Sequence, residues 1–211
     1  MFENKPDKQL SQALIELNID PSCVTPLMAF IRMLEKWNKT YNITAIRDMD
    51  KMVVLHLIDS ASVYRYLSGN SIIDVGTGGG IPGIIFAIIN PKLKVTLLDS
   101  NQKKTRFLRF AQRQLKLENV KVVCERVEKY QPKNPFDVVI SRAFSEVGLF
   151  LQLAGHLCSD DGFMLAMKGP REESEKKAGD FGFELTKDID VKVPFLKAHR
   201  RLLIFKKNEK K

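Results

Sequence analysis

The sequence has few cysteines, and their distribution excludes two kinds of site. Only three occur in 211 residues, and Cys23, Cys124 and Cys158 lie far apart in the chain. An odd number of scattered cysteines is not the pattern of a disulfide framework or of a zinc site. We therefore expect no bound metal and a reducing compartment, the cytoplasm.

Long hydrophobic runs are also missing. The longest apolar stretch, from Ile81 to Ile89, is interrupted by a proline and is far too short to span a bilayer. The first residues, MFENKPDKQL, lack the apolar core of a signal peptide. With 44% hydrophobic and 28% charged residues, the composition predicts a folded globular protein with no membrane association.

Negative charge is scarce in two segments of the chain. Ser100–Lys133 contains ten Lys or Arg against three Glu, and Lys192–Lys211 contains eight against one. The net charge of the whole chain is +9, so the remainder is net acidic. Each basic segment alone is typical of a solvated surface, but the two together favour a polyanionic partner such as nucleic acid.

The order of apolar patterns predicts two parts. Residues 1–68 carry apolar side chains at helical spacing, as at Leu10, Leu14 and Leu17, and are predicted to form an N-terminal helical extension. In residues 69–211 short apolar runs alternate with amphipathic segments, which predicts an α/β domain with a mainly parallel sheet. The predicted helices are Val24–Asn38, Met52–Leu67, Gly83–Ile89, Lys103–Leu117, Val147–Leu157 and Glu172–Gly179.

Seven strands are predicted in the second part. They are Ser71–Val75, Val95–Leu98, Val120–Cys124, Asp137–Ser141, Phe163–Met167, Phe183–Val193 and Arg200–Phe205. A short connection joins the last two strands, so we expect an antiparallel hairpin at one edge of the sheet.

A glycine-rich turn, DVGTGGGIPG (Asp74–Gly83), follows the first predicted strand and precedes a predicted helix. Residues without Cβ, such as Gly76 and Gly78, let the backbone turn tightly and approach a ligand closely. The helix N-terminus beyond the turn presents free N–H groups. The next strand ends in Asp99, roughly 20 residues further on, where a nucleotide-binding βαβ unit places its ribose-binding acid. The segment therefore predicts a nucleoside pocket.

Three cofactor classes compete for such a turn. A P-loop needs Lys and then Ser or Thr after its last glycine, but isoleucines follow Gly83. A dinucleotide pattern, G-x-G-x-x-G, also ends at Gly83 and leaves Asp74 and Gly76 without a role. The pattern D-x-G-x-G-x-G includes both, with Gly78, and resembles motif I of the class I S-adenosylmethionine (AdoMet) methyltransferases. That resemblance implies a Rossmann-like fold in which the turn approaches the methionine part of AdoMet and Asp99 binds its ribose.

Several further motifs occur in one order along the chain. They are WNKTYNITAI (37–46), HLIDS (56–60), LLDSNQKKTRFL (97–108), ERVE (125–128), FDVVISRAF (136–144) and MKG (167–169). With the glycine turn, they resemble the bacterial glucose-inhibited division protein B family, the guanine-N7 methyltransferases G of 16S ribosomal RNA. The resemblance implies AdoMet as cofactor, the small ribosomal subunit as partner, and AdoMet contacts at Gly76, Ile81, Val127, Glu128 and Arg142.

For two of these residues, the chemistry of the side chain also allows a second interpretation. Arg142 follows the fourth predicted strand, and its guanidinium suits a methionine carboxylate or an RNA phosphate. Glu128 follows the third strand, where it is either an acceptor for the adenine amine or a surface acid.

The residues favour a reaction that needs no general base. The fourth strand is followed by SRAF and not by the Asn-Pro-Pro-Tyr type of loop typical of amino-group methylation. Methylation of a cytosine carbon needs a cysteine nucleophile in the site, but Cys124 lies within a predicted strand, Cys158 ends a predicted helix and Cys23 belongs to the extension. Guanine N7 has an in-plane lone pair and no proton, so alignment and electrostatics suffice. We therefore assign no catalytic acid or base.

The candidate contacts to substrate RNA are basic or aromatic. They are Trp37, Tyr41, Arg106, Arg109, Lys168, Arg200 and Arg201. Trp37 and Tyr41 lie at i and i+4, which suits base stacking, although such a pair more often serves helix packing. His56 and Asp59, one helical turn apart, are predicted to form a structural hydrogen bond rather than a metal site.

Two other functions stay open from the sequence. An NAD(P)-dependent oxidoreductase explains Asp99, but the chain has no Tyr-x-x-x-Lys pair. A non-catalytic RNA-binding protein explains the basic segments. We expect a monomer in each case.

Overall fold

The chain begins with helices. In the computed structural model, which describes residues 5–142, 144, 146–170 and 179–208, these are α1 (Lys5–Glu16), α2 (Val24–Tyr41), α3 (Met49–Met52) and α4 (Asp59–Tyr64). A 3-10 turn, Pro21–Cys23, precedes α2. The helix predicted at Val24–Asn38 continues to Tyr41 and ends where Asn42 takes a left-handed conformation with φ 49°.

A π-helical segment, Val53–Ile58, joins α3 to α4. The sequence predicted one regular helix over Met52–Leu67, so the wider turn inside it is a difference from the prediction. π-helical turns are rare and cluster at functional sites.

A seven-stranded sheet forms the centre of the molecule. Its strands are β1 (Ser71–Val75), β2 (Lys94–Asp99), β3 (Val120–Cys124), β4 (Phe136–Ser141), β5 (Cys158–Lys168), β6 (Phe183–Asp190) and β7 (Arg201–Lys207). Their order is β3-β2-β1-β4-β5-β7-β6. The first five are parallel, and β7 runs antiparallel to both β5 and β6. The predicted parallel sheet with an antiparallel edge hairpin is confirmed.

Three helices connect the parallel strands. They are α5 (Gly83–Ile89), α6 (Gln102–Gln114) and α7 (Val147–Ala154). α6 stops before its predicted end at Leu117, because Lys116 takes a positive φ of 52°. The helix predicted at Glu172–Gly179 lies outside the described residues, except for Gly179.

Each face of the sheet has its own apolar layer. On one face, Leu10 and Phe30 of the N-terminal helices share a buried cluster with Ile72 of β1 and Phe107 of α6. On the other face, α7 packs Phe150 against the sheet. This arrangement leaves the carboxyl ends of the central strands open for a site. Among the described residues, no helix is long and apolar enough to cross a membrane.

Candidate active site

Asp74 stabilises the glycine turn between β1 and α5 through two hydrogen bonds. Its Oδ2 accepts hydrogen bonds from the Thr77 hydroxyl at 2.6 Å and from the Gly83 N–H at 2.8 Å. A Cβ at Gly83 would lie 2.3 Å from Leu97 Cδ2, so only glycine fits between helix and sheet. Burial raises the pKa of Asp74 to about 6, while the two hydrogen bonds act in the opposite direction. Asp74 therefore stabilises the conformation of the glycine turn from its buried side.

The other oxygen of this carboxyl group is buried. Asp74 Oδ1 has no hydrogen-bond partner among the residues that the structure describes. A buried carboxylate oxygen without a partner is costly, which agrees with the raised pKa of Asp74.

The turn itself depends on left-handed backbone conformations. Gly76, Gly78 and Gly80 have φ values of 67°, 59° and 88°, which side chains with a Cβ adopt only with strain. Ile81 is buried in the core cluster, and its N–H donates to Thr77 O at 3.2 Å. The structure thus gives the side chain of Ile81 a packing position, although the resemblance implied a cofactor contact.

Asp99 joins the turn to the end of β2. Its Oδ2 accepts the Gly78 N–H at 2.9 Å, and its Oδ1 accepts the Asn101 N–H at 2.8 Å. Lys104 Nζ lies 3.9 Å from Oδ2. Asn101 caps α6 by accepting from the N–H groups of its first turn, so the helix start fixes the position of Lys104. Lys104 was not among the site residues predicted from the sequence, although it lies one turn after a recognisable N-cap.

A cleft of about 310 Å³ opens beside the turn and Asp99. Its lining combines glycine backbone, carboxylates and apolar walls: Val75, Gly76, Leu98, Asp99, Ser100, Lys104, Glu125, Arg126, Val127, Glu128 and Phe144. Carboxylates accept hydrogen bonds from ribose hydroxyls and amines, and apolar walls suit a purine ring. The carboxylate acceptors and apolar walls of the cleft therefore fit a nucleoside cofactor. Of the eight predicted cofactor residues, Gly76, Asp99, Val127 and Glu128 line this cleft.

Arg142 does not line that cleft. It lines a second cavity, together with Leu55, Asp59 and Lys168. Its Nη1 donates to the Leu55 carbonyl at 2.8 Å, and Nη2 lies 3.2 Å from His56 Nδ1. Nη1 also lies 3.6 Å from Asp59 Oδ2. The guanidinium is therefore held by the π-helical segment and the start of α4, a set of partners that the sequence analysis did not identify.

His56 and Asp59 were predicted to bond to each other, and this detail is wrong, because Arg142 stands between them. An arginine only donates, so His56 Nδ1 accepts and its Nε2 contacts the Thr44 hydroxyl at 3.0 Å. Burial, together with the charge of Arg142, lowers the pKa of His56 to about 4 and keeps the ring neutral. In the described ranges, no three His, Cys, Asp or Glu side chains form a metal-binding group.

Three basic candidates for RNA contact lie near this second cavity. Arg200 Nε donates to Asp59 Oδ1 at 3.2 Å, and Lys168 Nζ donates to the Phe144 carbonyl at 3.1 Å. Arg201 is buried and donates two hydrogen bonds to Asp188, at 2.9 and 2.8 Å. That geometry places the Arg201 guanidinium within the β6–β7 hairpin.

The remaining RNA candidates lie on α6 and α2. Arg106 and Arg109 are exposed on α6. The ring centroids of Trp37 and Tyr41 are 5.2 Å apart, and Trp37 also packs on Phe107 and Phe110 of α6 at 5.6 and 5.3 Å. Trp37 therefore fastens α2 to α6, while Tyr41 keeps 39% of its surface exposed.

Comparison with known proteins identifies the family to which this arrangement belongs. The GidB family model, described as rRNA small subunit methyltransferase G, matches residues 24–204. The chain belongs to the GidB family. This membership confirms the resemblance drawn from the motifs, and it decides for a methyltransferase against an oxidoreductase.

Curated GidB relatives match along almost the whole chain. The ribosomal RNA small subunit methyltransferase G of Methylobacillus flagellatus is 45% identical over 198 residues, which cover 93% of this chain and 96% of that protein. The protein of the same name from Chromobacterium violaceum is 47% identical over 195 residues, covering 92% of each chain.

Solved structures place this GidB chain in its fold class. A SAM-dependent methyltransferase from Aquifex aeolicus superposes with a TM-score of 0.60 at 19% identity, covering 78% of this chain and 96% of that one. At such identity the likeness concerns the fold alone. The predicted class I methyltransferase fold is confirmed.

Proposed function

We propose that this protein transfers a methyl group from AdoMet to N7 of a guanine in 16S ribosomal RNA. One observation carries the proposal. In a chain that belongs to the GidB family, the glycine turn, Asp99 and Glu128 converge on one cleft at the carboxyl ends of parallel strands. The names of its relatives, ribosomal RNA small subunit methyltransferase G, support the choice of RNA.

Each residue of the cleft has a proposed task. Asp99, which is 7% exposed and fixed by two backbone N–H groups, accepts the ribose hydroxyls. Val127 covers the adenine ring and Glu128 accepts its amino group. Gly76 lets the backbone approach the methionine part, while Asp74, Gly78 and Ile81 maintain the shape of the turn.

The proposed reaction requires alignment of the base with the methyl group and no proton transfer. When bound, AdoMet supplies an electrophilic methyl group on a sulfonium. Transfer of that methyl group to the N7 lone pair would break the methyl–sulfur bond and move the positive charge from sulfur to the purine. No proton leaves N7, so the protein has to orient the base and stabilise the charge.

The RNA is proposed to bind along the basic surface of α6 and at the second cavity. Arg106 and Arg109 project from α6 toward solvent, where they suit phosphates. Tyr41, whose ring lies next to Trp37, offers an exposed surface for a stacked base. Lys168 and Arg200 line the second cavity, whereas the pairing of Arg201 with Asp188 favours a structural task for Arg201.

We also propose how the chain is organised. Residues 1–68 form a helical extension and residues 69–211 form the AdoMet-binding domain, with one apolar cluster shared between the extension and the sheet. The protein acts as a monomer in the cytoplasm, where ribosomal subunits are found.

The test uses small ribosomal subunits whose 16S RNA lacks N7-methylguanosine. Incubation with the protein and methyl-labelled AdoMet should place label in the RNA, and the Asp99→Ala variant should place much less. Retention of RNA binding by the wild-type protein without any label in the RNA would instead support the non-catalytic alternative.

A further inference from the structure

The second cavity has the size and lining of a base-binding pocket. Its volume is about 310 Å³. Five apolar residues, five charged residues and one glycine line it: Ile46, Leu55, Val63, Met167, Val191, Asp59, Arg142, Lys168, Arg200, Arg201 and Gly169. Flipped bases are held between apolar side chains and recognised by hydrogen bonds to their Watson–Crick edge.

The cavity adjoins the cofactor cleft across two paired strands. β1 and β4 are parallel neighbours, with Asp74 opposite Ile140. At their ends the Ser141 hydroxyl donates to the Val75 carbonyl at 2.8 Å. Val75 lines the cofactor cleft, and Arg142, directly after Ser141, lines the second cavity. A base in the cavity is therefore next to the cleft at the edge of the sheet where ligands of such folds bind.

Among the described residues that line this cavity, Asp59 is the only one with a carboxylate. Its side chain is 5% exposed and lies between two arginines. Arg200 Nε donates to Oδ1 at 3.2 Å, but Oδ2 is approached only by Arg142 Nη1 at 3.6 Å among the described contacts. A separation of 3.6 Å is too long for a hydrogen bond, so Oδ2 can still accept one from a ligand.

The position of Asp59 is fixed by a network. Arg142 is held by the Leu55 carbonyl and by His56, and His56 by the Thr44 hydroxyl. Because the ring of His56 accepts from Arg142, both sides of the guanidinium are engaged before any ligand arrives. A buried carboxylate braced in this way is preorganised to accept, and binding does not have to order it.

Guanine presents the complementary edge. Its N1–H and exocyclic amino group are neighbouring donors, whereas adenine has an acceptor at N1. We propose that Asp59 reads the target guanine by accepting hydrogen bonds from its Watson–Crick edge, with the aliphatic walls of the cavity covering the ring. This inference rests on the proposed function and adds the residue that selects guanine.

Inosine provides a direct test, because it keeps N7, O6 and N1–H and lacks only the amino group. Subunits are reconstituted with 16S RNA that carries guanosine or inosine at the labelled position, introduced by ligating a synthetic segment. For the wild-type protein we expect inosine to lower kcat/KM for methyl transfer by about 10- to 100-fold, the value of a hydrogen bond to a charged group. Equal rates on the two substrates would overturn the proposal, and this comparison needs no variant.

The Asp59→Asn variant completes a double-mutant cycle. It should methylate guanosine more slowly than the wild type, and the further effect of inosine should shrink to about threefold or less, because the contact is already lost. The intrinsic reactivity of N7 differs between the two bases equally for both proteins, so it cancels in the cycle. An undiminished inosine effect in Asp59→Asn would mean that Asp59 only braces arginines that hold a phosphate.

Two measurements separate failure of this inference from other failures. Asp50→Asn removes the same charge from an exposed site on α3, and we expect it to match the wild type on both bases. AdoMet binding by the Asp59→Asn variant shows whether the cofactor cleft is intact, and the Tm of the variant shows whether the fold is intact. No label from the wild type on guanosine subunits would reject the proposed function itself, and this inference with it.

Discussion

His56 is a buried imidazole whose neutrality has a consequence for stability. It is 2% exposed, and burial and the charge of Arg142 hold its pKa at about 4. In the unfolded chain a histidine titrates near 6.5, so the unfolded state takes up a proton first as the pH falls. The contribution of His56 to stability is therefore fully present above pH 6.5 and is lost as the pH falls from 6.5 toward 4.

This effect is measurable in the His56→Gln variant. Urea unfolding of wild type and variant at pH 7 and pH 5 should show that the advantage of the wild type is smaller at pH 5 by about 2 kcal/mol. The difference between the two proteins is needed because the raised pKa of Asp74, about 6, acts in the opposite sense over the same range.

The exposed His199 supplies the matched control. The His199→Gln variant removes an exposed imidazole, and its urea unfolding is measured at the same two pH values. An advantage of the wild type over His56→Gln that does not depend on pH would show that His56 is not neutral in the folded protein.

Gly78 allows backbone strain to be separated from cofactor contact. Gly78 and Gly182 both have positive φ, 59° and 75°, and a Cβ at either position meets no atom closer than 3.9 Å. A valine at either position therefore strains the backbone, and we expect both variants to lower Tm. Only Gly78→Val should weaken AdoMet binding, by about tenfold or more, because Gly78 donates to Asp99 beside the cleft.

Calorimetric titration with AdoMet makes this comparison. Equal affinity of the Gly78→Val and Gly182→Val variants would contradict the placement of the cofactor at the turn. Both variants are measured at a temperature well below their Tm.

α6 has two faces with different tasks. Phe107, Leu108 and Ala111 are buried against the sheet and α2, and this packing fixes the helix. Arg106 and Arg109 are exposed on the other face. Their charge is therefore not needed for folding and is available for RNA.

Charge reversal on that face should weaken RNA binding. The double variant Arg106→Glu, Arg109→Glu should bind 16S RNA less tightly, and the slope of log K against log salt should fall by about 1 to 2 because two phosphate contacts are lost. The variant Lys92→Glu, Lys94→Glu makes the same change at the amino end of β2. An identical salt slope for the two variants would show that α6 does not contact RNA.

Helices and strands could be predicted where the residues that determine them are close together in the sequence. The apolar stripe and the Asn101 cap of α6 are visible in the sequence, and only its end was placed too late, because a left-handed Lys116 has no sequence signal. The π-helical segment was missed for the same reason. No residue pattern distinguishes an i→i+5 turn from a regular one, although this turn positions Leu55 to hold Arg142.

At the scale of the whole molecule, the sheet brings distant segments to one edge. The glycine turn, Asp99 and Glu128 converge because their strands are parallel neighbours, and this convergence was predictable from motif order. The second cavity was not predictable. Arg142 meets Leu55 across 87 residues of sequence, a contact that depends on how the helical extension packs and not on any local pattern.

The most direct measurement is the position of the methyl group in the RNA. After the protein has acted on unmodified small subunits, chemical cleavage at N7-methylguanosine followed by primer extension locates the product. We expect one new cleavage at a single guanosine of 16S RNA, dependent on AdoMet and lost in the Asp99→Ala variant. Label on another base, on an amino group or on ribose would contradict it.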